Sequence, residues 1–151
     1  MIYFIDENLG EAEAWAIDLR MNGFEIVHIR NADQAYSQLV KANNYELVII
    51  DVMLAADDND RSPRYTRDRT DDYLLTGIVF VDDLAQACGH ELVNRCVFLS
   101  QTGEDRLIKE IEQAARRHDI PFWRKFEFSD PSEFTAKVRN RLSEIVGESR
   151  R

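Results

Sequence analysis

The chain is short of cysteine, of basic charge and of long apolar runs, and each shortage excludes a class of protein. Its two cysteines are Cys88 and Cys96. They form no CxxC pair and imply no disulfide framework, so both read as small core hydrophobes. Acids outnumber bases to a net charge of -9, which leaves no basic footprint for nucleic acid. No apolar run approaches the length of a membrane span. The opening, MIYFIDEN, reaches acids at once and lacks the basic and apolar regions of a signal peptide. These traits predict a cytoplasmic protein with no membrane association and no direct nucleic-acid binding. What is present is an ordinary globular profile, 44% hydrophobic and 31% charged over 151 residues. That length suits one domain with one good core.

The most informative stretch is LVIIDVML, from Leu47 to Leu54. An unbroken apolar run rich in β-branched residues and ending in an acid, Asp51, reads as a central parallel strand. The run 2–5 repeats the pattern and ends in Asp6 and Glu7. Further strands are predicted over 24–29, 97–99 and 121–126. Helical spacing of apolar residues predicts helices over 9–21, 32–42, from 73 or 76 to 87, 103–118 and 131–146. Asn8, Asn31 and Asp130 are the expected N-caps, with Pro131 at the first helical position and Glu133 completing a capping box. Asn22-Gly23, Asn43-Asn44 and Gly147 are the expected stops.

Five βα units imply a parallel sheet with helices on both faces. The expected fold is α/β, a (βα)5 flavodoxin-like arrangement with strand order 2-1-3-4-5. The expected domain runs over 1–147, followed by a polar tail at 148–151. A segment at 55–72, AADDNDRSPRYTRDRTDD, breaks the rhythm and reads as a solvated loop. Its acids suggest a calcium loop, but a start at Asp58 puts Pro63 where the turn requires Gly, so that match fails.

In an open parallel sheet, ligands bind beyond the carboxyl ends of the strands. There the sequence supplies Asp6 and Glu7, Asp51, the hydroxyl of Ser100 after strand four, and the ammonium of Lys125 on strand five. Three neighbouring carboxylates repel one another unless a cation sits among them. All-oxygen ligands favour Mg²⁺, a hard cation that keeps waters. A carboxylate is a competent nucleophile towards phosphorus. Phosphoryl transfer then needs mainly positioning and charge neutralisation, which Lys125 and Ser100 can serve.

The motifs FIDEN, LVIIDVML, VFLSQTG and FWRKF together resemble the response-regulator receiver domains of two-component signalling. The acid pair and the acceptor are 45 residues apart (51 − 6), as in that family, and the likeness spans 2–146. The resemblance implies that Asp51 is the phosphoacceptor. It implies that Asp6, Glu7, Asp51 and the backbone carbonyl of Met53 hold Mg²⁺, that Lys125 contacts the phosphate, and that Ser100 and Phe122 are the switch pair. The implied partner is a histidine kinase or phosphotransfer protein. The implied output surface is formed by the helix over 103–118, strand five and the last helix. Leu107, Ile111, Lys137, Arg139 and Arg141 would dock a partner or a second copy of the chain there.

Four features depart from the pattern. Phe126 follows Lys125 where the family has a proline. Gln101 follows Ser100 where a small residue is usual, so its side chain is expected to modify access to Asp51. The glycine that the family carries shortly after the acceptor is here Gly77, 26 residues on (77 − 51). The enlarged loop also carries Arg61, Arg64, Arg67 and Arg69, expected to pair with the loop's own acids. These departures leave an alternative: a receiver-like binding module that signals without phosphorylation, with the 55–72 loop as its docking element. A phosphohydrolase with a nucleophilic aspartate needs a second acid where Met53 stands. No output domain follows the last helix, so the chain is either a stand-alone receiver or a piece of a longer protein.

Overall fold

The fold was analysed in a computed structural model, which describes residues 1–7, 9–42, 45–54 and 62–150. The cap expected at Asn8, the stop expected at Asn43-Asn44, and the loop residues 55–61 with Arg61 lie outside that set. The elements run β1 (Ile2–Ile5), α1 (Leu9–Met21), β2 (Ile26–Ile29), α2 (Ala32–Lys41), β3 (Leu47–Asp51), α3 (Thr76–Cys88), α4 (His90–Val93), β4 (Cys96–Ser100), α5 (Asp105–His118), β5 (Phe122–Arg124) and α6 (Pro131–Ser149). A short 3-10 turn, Lys125–Glu127, joins β5 to α6. The five strands are parallel and ordered β2-β1-β3-β4-β5, as the sequence predicts.

The unbroken apolar run of β3 has a simple cause, since both faces of this strand are covered. Val48 and Ile50 belong to a cluster with Ala35, Leu39, Phe80, Leu84 and Ile111, on the side of α2, α3 and α5. Leu47 and Ile49 join Trp15, Leu19, Phe134 and Val138, on the side of α1 and α6. An aromatic group closes that second layer, with the Trp15 and Phe134 rings stacked at 4.6 Å. Cys96 is buried, Cys88 is half-buried and both are free, in keeping with their reading as core residues.

The caps follow the sequence signals. Asn31 Oδ1 accepts the Gln34 N–H at 2.9 Å. Asp130 Oδ1 accepts the Glu133 N–H at 3.1 Å, and Glu133 Oε2 accepts the Ser129 N–H at 2.8 Å, the reciprocal satisfaction of a capping box. Gly23 has φ +90 after α1, a left-handed stop that glycine adopts without strain.

Several expectations need correction. The last helix passes through Gly147 to Ser149, so residues 148 and 149 are not tail. Strand five is shorter than expected, and Lys125 opens the 3-10 turn beyond it. A one-turn helix, α4, was not expected. Leu107 and Ile111 lie in the core, because the apolar face of α5 packs on the sheet and only its polar face meets solvent. Arg141 is buried, donating to the Asn94 carbonyl at 2.8 Å and to Glu144 at 3.1 Å. These three side chains therefore contribute no output surface, while Lys137 and Arg139 remain exposed.

The enlarged loop is also more than a solvated loop. Its described part, residues 62–75, packs onto α2 and α3. Tyr65 is fully buried in the core, and Ser62 and Thr70 are buried with it. Ser62 Oγ donates to Asp33 at 2.6 Å and accepts the Tyr65 N–H at 3.0 Å. Arg69 forms a two-pronged pair with the buried Asp83 of α3, and Arg64 lies 3.7 Å from the same carboxylate. Among the described loop arginines, Arg67 is the one that pairs with a loop acid, Asp72, at 3.7 Å. Two of the expected loop-internal pairs are thus made to α3 instead, because a buried carboxylate requires a partner.

Asp71, Asp72 and Tyr73 follow with φ of 52, 56 and 67. Three successive side-chain-bearing residues in the left-handed region cost roughly 1–2 kcal/mol each. Two substitutions test this architecture. A Cβ on Gly77 would meet the Asp51 carbonyl and the Val52 Cα at 2.7 Å. Gly77→Ala should therefore cost about 3 kcal/mol in urea denaturation. Tyr65→Ala should cost about 3–5 kcal/mol as a large core aromatic, whereas a residue of a solvated loop would cost almost nothing.

Candidate functional site

Register decides which side chains meet. Ile5 pairs with Ile50 and Asp51 with Leu99, so Asp6, one residue past β1, comes level with Asp51 at the same rim. Ser100 pairs with Arg124, and Lys125 is the next residue after that pair. Lys125 Nζ lies between the two carboxylates, donating to Asp6 Oδ2 at 3.1 Å and to Asp51 Oδ2 at 3.2 Å. The Lys125–Phe126 peptide is trans, and the 3-10 turn alone turns the lysine inward.

The two acids are not equivalent. The Asp6 side chain is 0% exposed and Lys125 is 8% exposed, while Asp51 keeps 13% of its side chain open to solvent. Asp51 is therefore the carboxylate an incoming group can reach. Its other oxygen, Oδ1, accepts the Met53 N–H at 3.2 Å. Burial pushes the Asp51 carboxyl up to about 6; Lys125 pulls it down, and Asp6 adds to the rise. Burial also works against the Lys125 ammonium, but Asp51 and Asp6 outweigh it and hold Lys125 above the usual lysine range. With both acids ionised the trio carries one uncompensated negative charge.

The remaining candidates surround this trio. Ser100 is buried at the end of β4, and its Oγ accepts the Thr102 N–H at 3.2 Å. Glu7 is exposed beside Asp6. Met53 is also exposed. Phe122 is half-buried against the core, with the Arg124 guanidinium 5.6 Å from its ring centroid. Gln101 is exposed and lines a cleft of about 440 Å³ with Lys125, Phe126, Trp15 and Phe128. The structure thus brings Asp6, Asp51 and Lys125 into direct contact and sets Ser100 on the adjacent strand.

Sequence reasoning missed one support of this site, His28, and named the other, Gly77, without its contacts. His28 Nε2 donates to the Asp6 carbonyl at 2.7 Å; its place on β2, beside β1, was the available signal. Gly77 N–H donates to the Val52 carbonyl at 2.9 Å, with no room for a side chain against Asp51. The sequence marks Gly77 as the glycine after Asp51, and the structure adds its close seat on the Asp51 and Val52 backbone.

The oxygen donors suit a hard cation. The carboxylates of Asp6, Glu7 and Asp51 and the backbone carbonyl of Met53 are the donor types that Mg²⁺ takes from a protein when it keeps several waters. The raised Asp51 carboxyl marks a charge that a cation would relieve. Among the described residues no group of three His, Cys, Asp or Glu side chains forms a ready-made metal cage, so such a cation would depend on waters for its other ligands.

No family model matches the chain, and no curated protein matches it. Solved structures do. The chain is similar to a CheY-like response regulator receiver domain protein from Methanospirillum hungatei JF-1, at 11% identity and TM-score 0.68, covering 97% of this chain and 96% of that one. A putative response regulator from Chloroflexus aurantiacus J-10-fl gives 20% identity and TM-score 0.65 over 94% of this chain and 96% of that one. A response regulator protein from Burkholderia pseudomallei, solved with a phosphorylated aspartic acid, a calcium ion and citrate, gives 18% identity and TM-score 0.60 over 98% of this chain and 71% of that one. The fold is that of the response-regulator receiver domains. No described helix is long and apolar enough to cross a membrane.

The raised Asp51 carboxyl has a consequence for stability. Its ionised form is disfavoured in the folded protein, so the penalty is full above about pH 6, falls as pH drops through that value, and is gone below the unfolded value near 4. Without divalent cations, Asp51→Asn should be more stable than the parent at pH 8 by up to about 3 kcal/mol. The gain should shrink to nothing below about pH 4, as urea melts in chelator will record.

Proposed function

We propose that the chain is a phosphoacceptor receiver that takes a phosphoryl group onto Asp51 from the phosphohistidine of a partner histidine kinase or phosphotransfer protein. The observation that carries this reading is the Lys125 ammonium held between a fully buried acid and a reachable one, at the carboxyl ends of β1 and β3. A lysine so placed neutralises charge at Asp51, the more open of the two carboxylates it joins. The receiver fold and the phosphorylated aspartic acid of the Burkholderia structure support it.

Asp51 attacks phosphorus through a carboxylate oxygen. The phosphohistidine P–N bond breaks as the O–P bond forms, and the released imidazole takes up a proton. Lys125 follows the charge from the Asp51 carboxylate to a phosphoryl oxygen. Ser100, freed from accepting the Thr102 N–H, donates its hydroxyl to another. Asp6, Glu7, Asp51 and the Met53 carbonyl would hold Mg²⁺, which would supply positive charge to the phosphoryl oxygens. The same chemistry allows self-phosphorylation from a small phosphodonor and slow loss of the group to water.

Movement of Ser100 and Phe122 then alters the surface of α5, β5 and α6, where a partner or a second copy of the chain binds. A rival reading has an observation of its own. The packed 62–75 segment presents Arg64, Arg67 and Arg69 on a rigid support, which suits a docking element that works without phosphorylation.

Incubation with acetyl phosphate and Mg²⁺, read by intact mass, separates the two. The parent should gain the mass of one phosphoryl group. Asp51→Asn should gain none, and chelator should abolish the gain. An unlabelled parent, or an Asp51→Asn variant labelled as well as the parent, would sink the phosphoacceptor reading.

A further inference from the structure

Resting on that reading, we propose that the segment 62–75 is a second output of the phosphorylation site, driven by exchange of Arg106 between Asp71 and Glu104. The segment is linked to the site by two routes. Just past its end, in α3, Gly77 sits against the Asp51 carbonyl and the Val52 Cα, and donates to the Val52 carbonyl. Across the molecule, Arg106 Nη1 donates to Asp71 Oδ2 at 2.8 Å. Arg106 is the second residue of α5, directly behind the loop that begins at Ser100.

That loop is held by a run of hydrogen bonds between near neighbours in the chain. Ser100 Oγ accepts the Thr102 N–H, Thr102 Oγ1 accepts the Glu104 N–H at 3.2 Å, and the Glu104 carbonyl accepts the Ile108 N–H at 3.0 Å. A Ser100 hydroxyl that turns to a phosphoryl group on Asp51 releases the first link and shifts the first turn of α5. Arg106 already has a second acid in reach, with Glu104 Oε1 3.7 Å from its Nε. Leaving Asp71 therefore does not strand the guanidinium, and the pair has two arrangements rather than one.

The receiving end is built to respond. Residues 62–69 are anchored, by Tyr65 in the core and by Arg69 on the buried Asp83. The turn Asp71–Tyr73 is strained, with three left-handed residues in succession, and Asp71 is its tie to α5. Cutting that tie lets the turn open while the anchor stays. Asp72 N–H, bonded to the Arg67 carbonyl at 2.7 Å, and Leu75 N–H, bonded to the Thr70 carbonyl at 2.9 Å, report whether it has opened.

Hydrogen exchange read by mass spectrometry on the full chain, with and without Mg²⁺ and beryllofluoride, tests this. In the parent, beryllofluoride should slow exchange around Asp51 and speed it over 70–75 about two- to fivefold, the scale of one exposed ion pair. Arg106→Gln and Asp71→Asn should each show the faster exchange over 70–75 already without beryllofluoride, and little further change with it. A parent that responds around Asp51 but not over 70–75 overturns the coupling and leaves the receiver reading intact. So do variants that exchange like the parent. No response anywhere in the chain overturns both.

Discussion

The contact of Lys125 with Asp6 and Asp51 is the constraint on which the rest of the site depends. Two carboxylates side by side at a largely buried rim would repel, and each would be costly to bury alone. One ammonium between them makes the arrangement tenable without making it neutral. The single negative charge left over is one that a cation would offset. Lys125 can stand there because β5 stops at Arg124 and the chain turns in a 3-10 step, which aims a long side chain across β4 towards β3 and β1.

That contact in turn depends on the sheet. Parallel strands in the order β2-β1-β3-β4-β5 bring three carboxyl ends into one rim only if register is kept, and register is kept by burial on both faces. A slip of one residue on β3 would turn Val48 and Ile50 towards the α1 side and carry Asp51 away from Lys125. Site and core are therefore specified by the same packing. The close seat of Gly77 on Asp51 and Val52 extends the rule to α3, whose start is tied to the backbone of those two residues.

The segment between β3 and α3 shows how an insertion can be absorbed. It covers α2 and α3 with Tyr65 as its anchor and satisfies the buried Asp83 with Arg69. The strain at Asp71–Tyr73 is tolerated because those anchors hold the surrounding chain. A segment firmly held at one end and strained at the other is suited to having two conformations.

The sequence by itself determined the five strands, their order, and the identity of Asp6, Asp51, Ser100 and Lys125 as the residues at the rim. Apolar runs buried on two faces, helix caps and turn residues are local signals that a linear reading can follow. Only the tertiary structure decided how those residues divide the work. It showed Asp6 sealed and Asp51 reachable, Leu107 and Ile111 turned inward, Arg141 buried, and Arg64 and Arg69 drawn to Asp83 rather than to the loop's own acids. These outcomes turn on which side chain wins a shared partner or a place out of water. That competition is settled by elements far apart in the chain, so no local pattern records it. Tyr65 is the clearest case: an aromatic among charges looks solvated until α2 and α3 close over it.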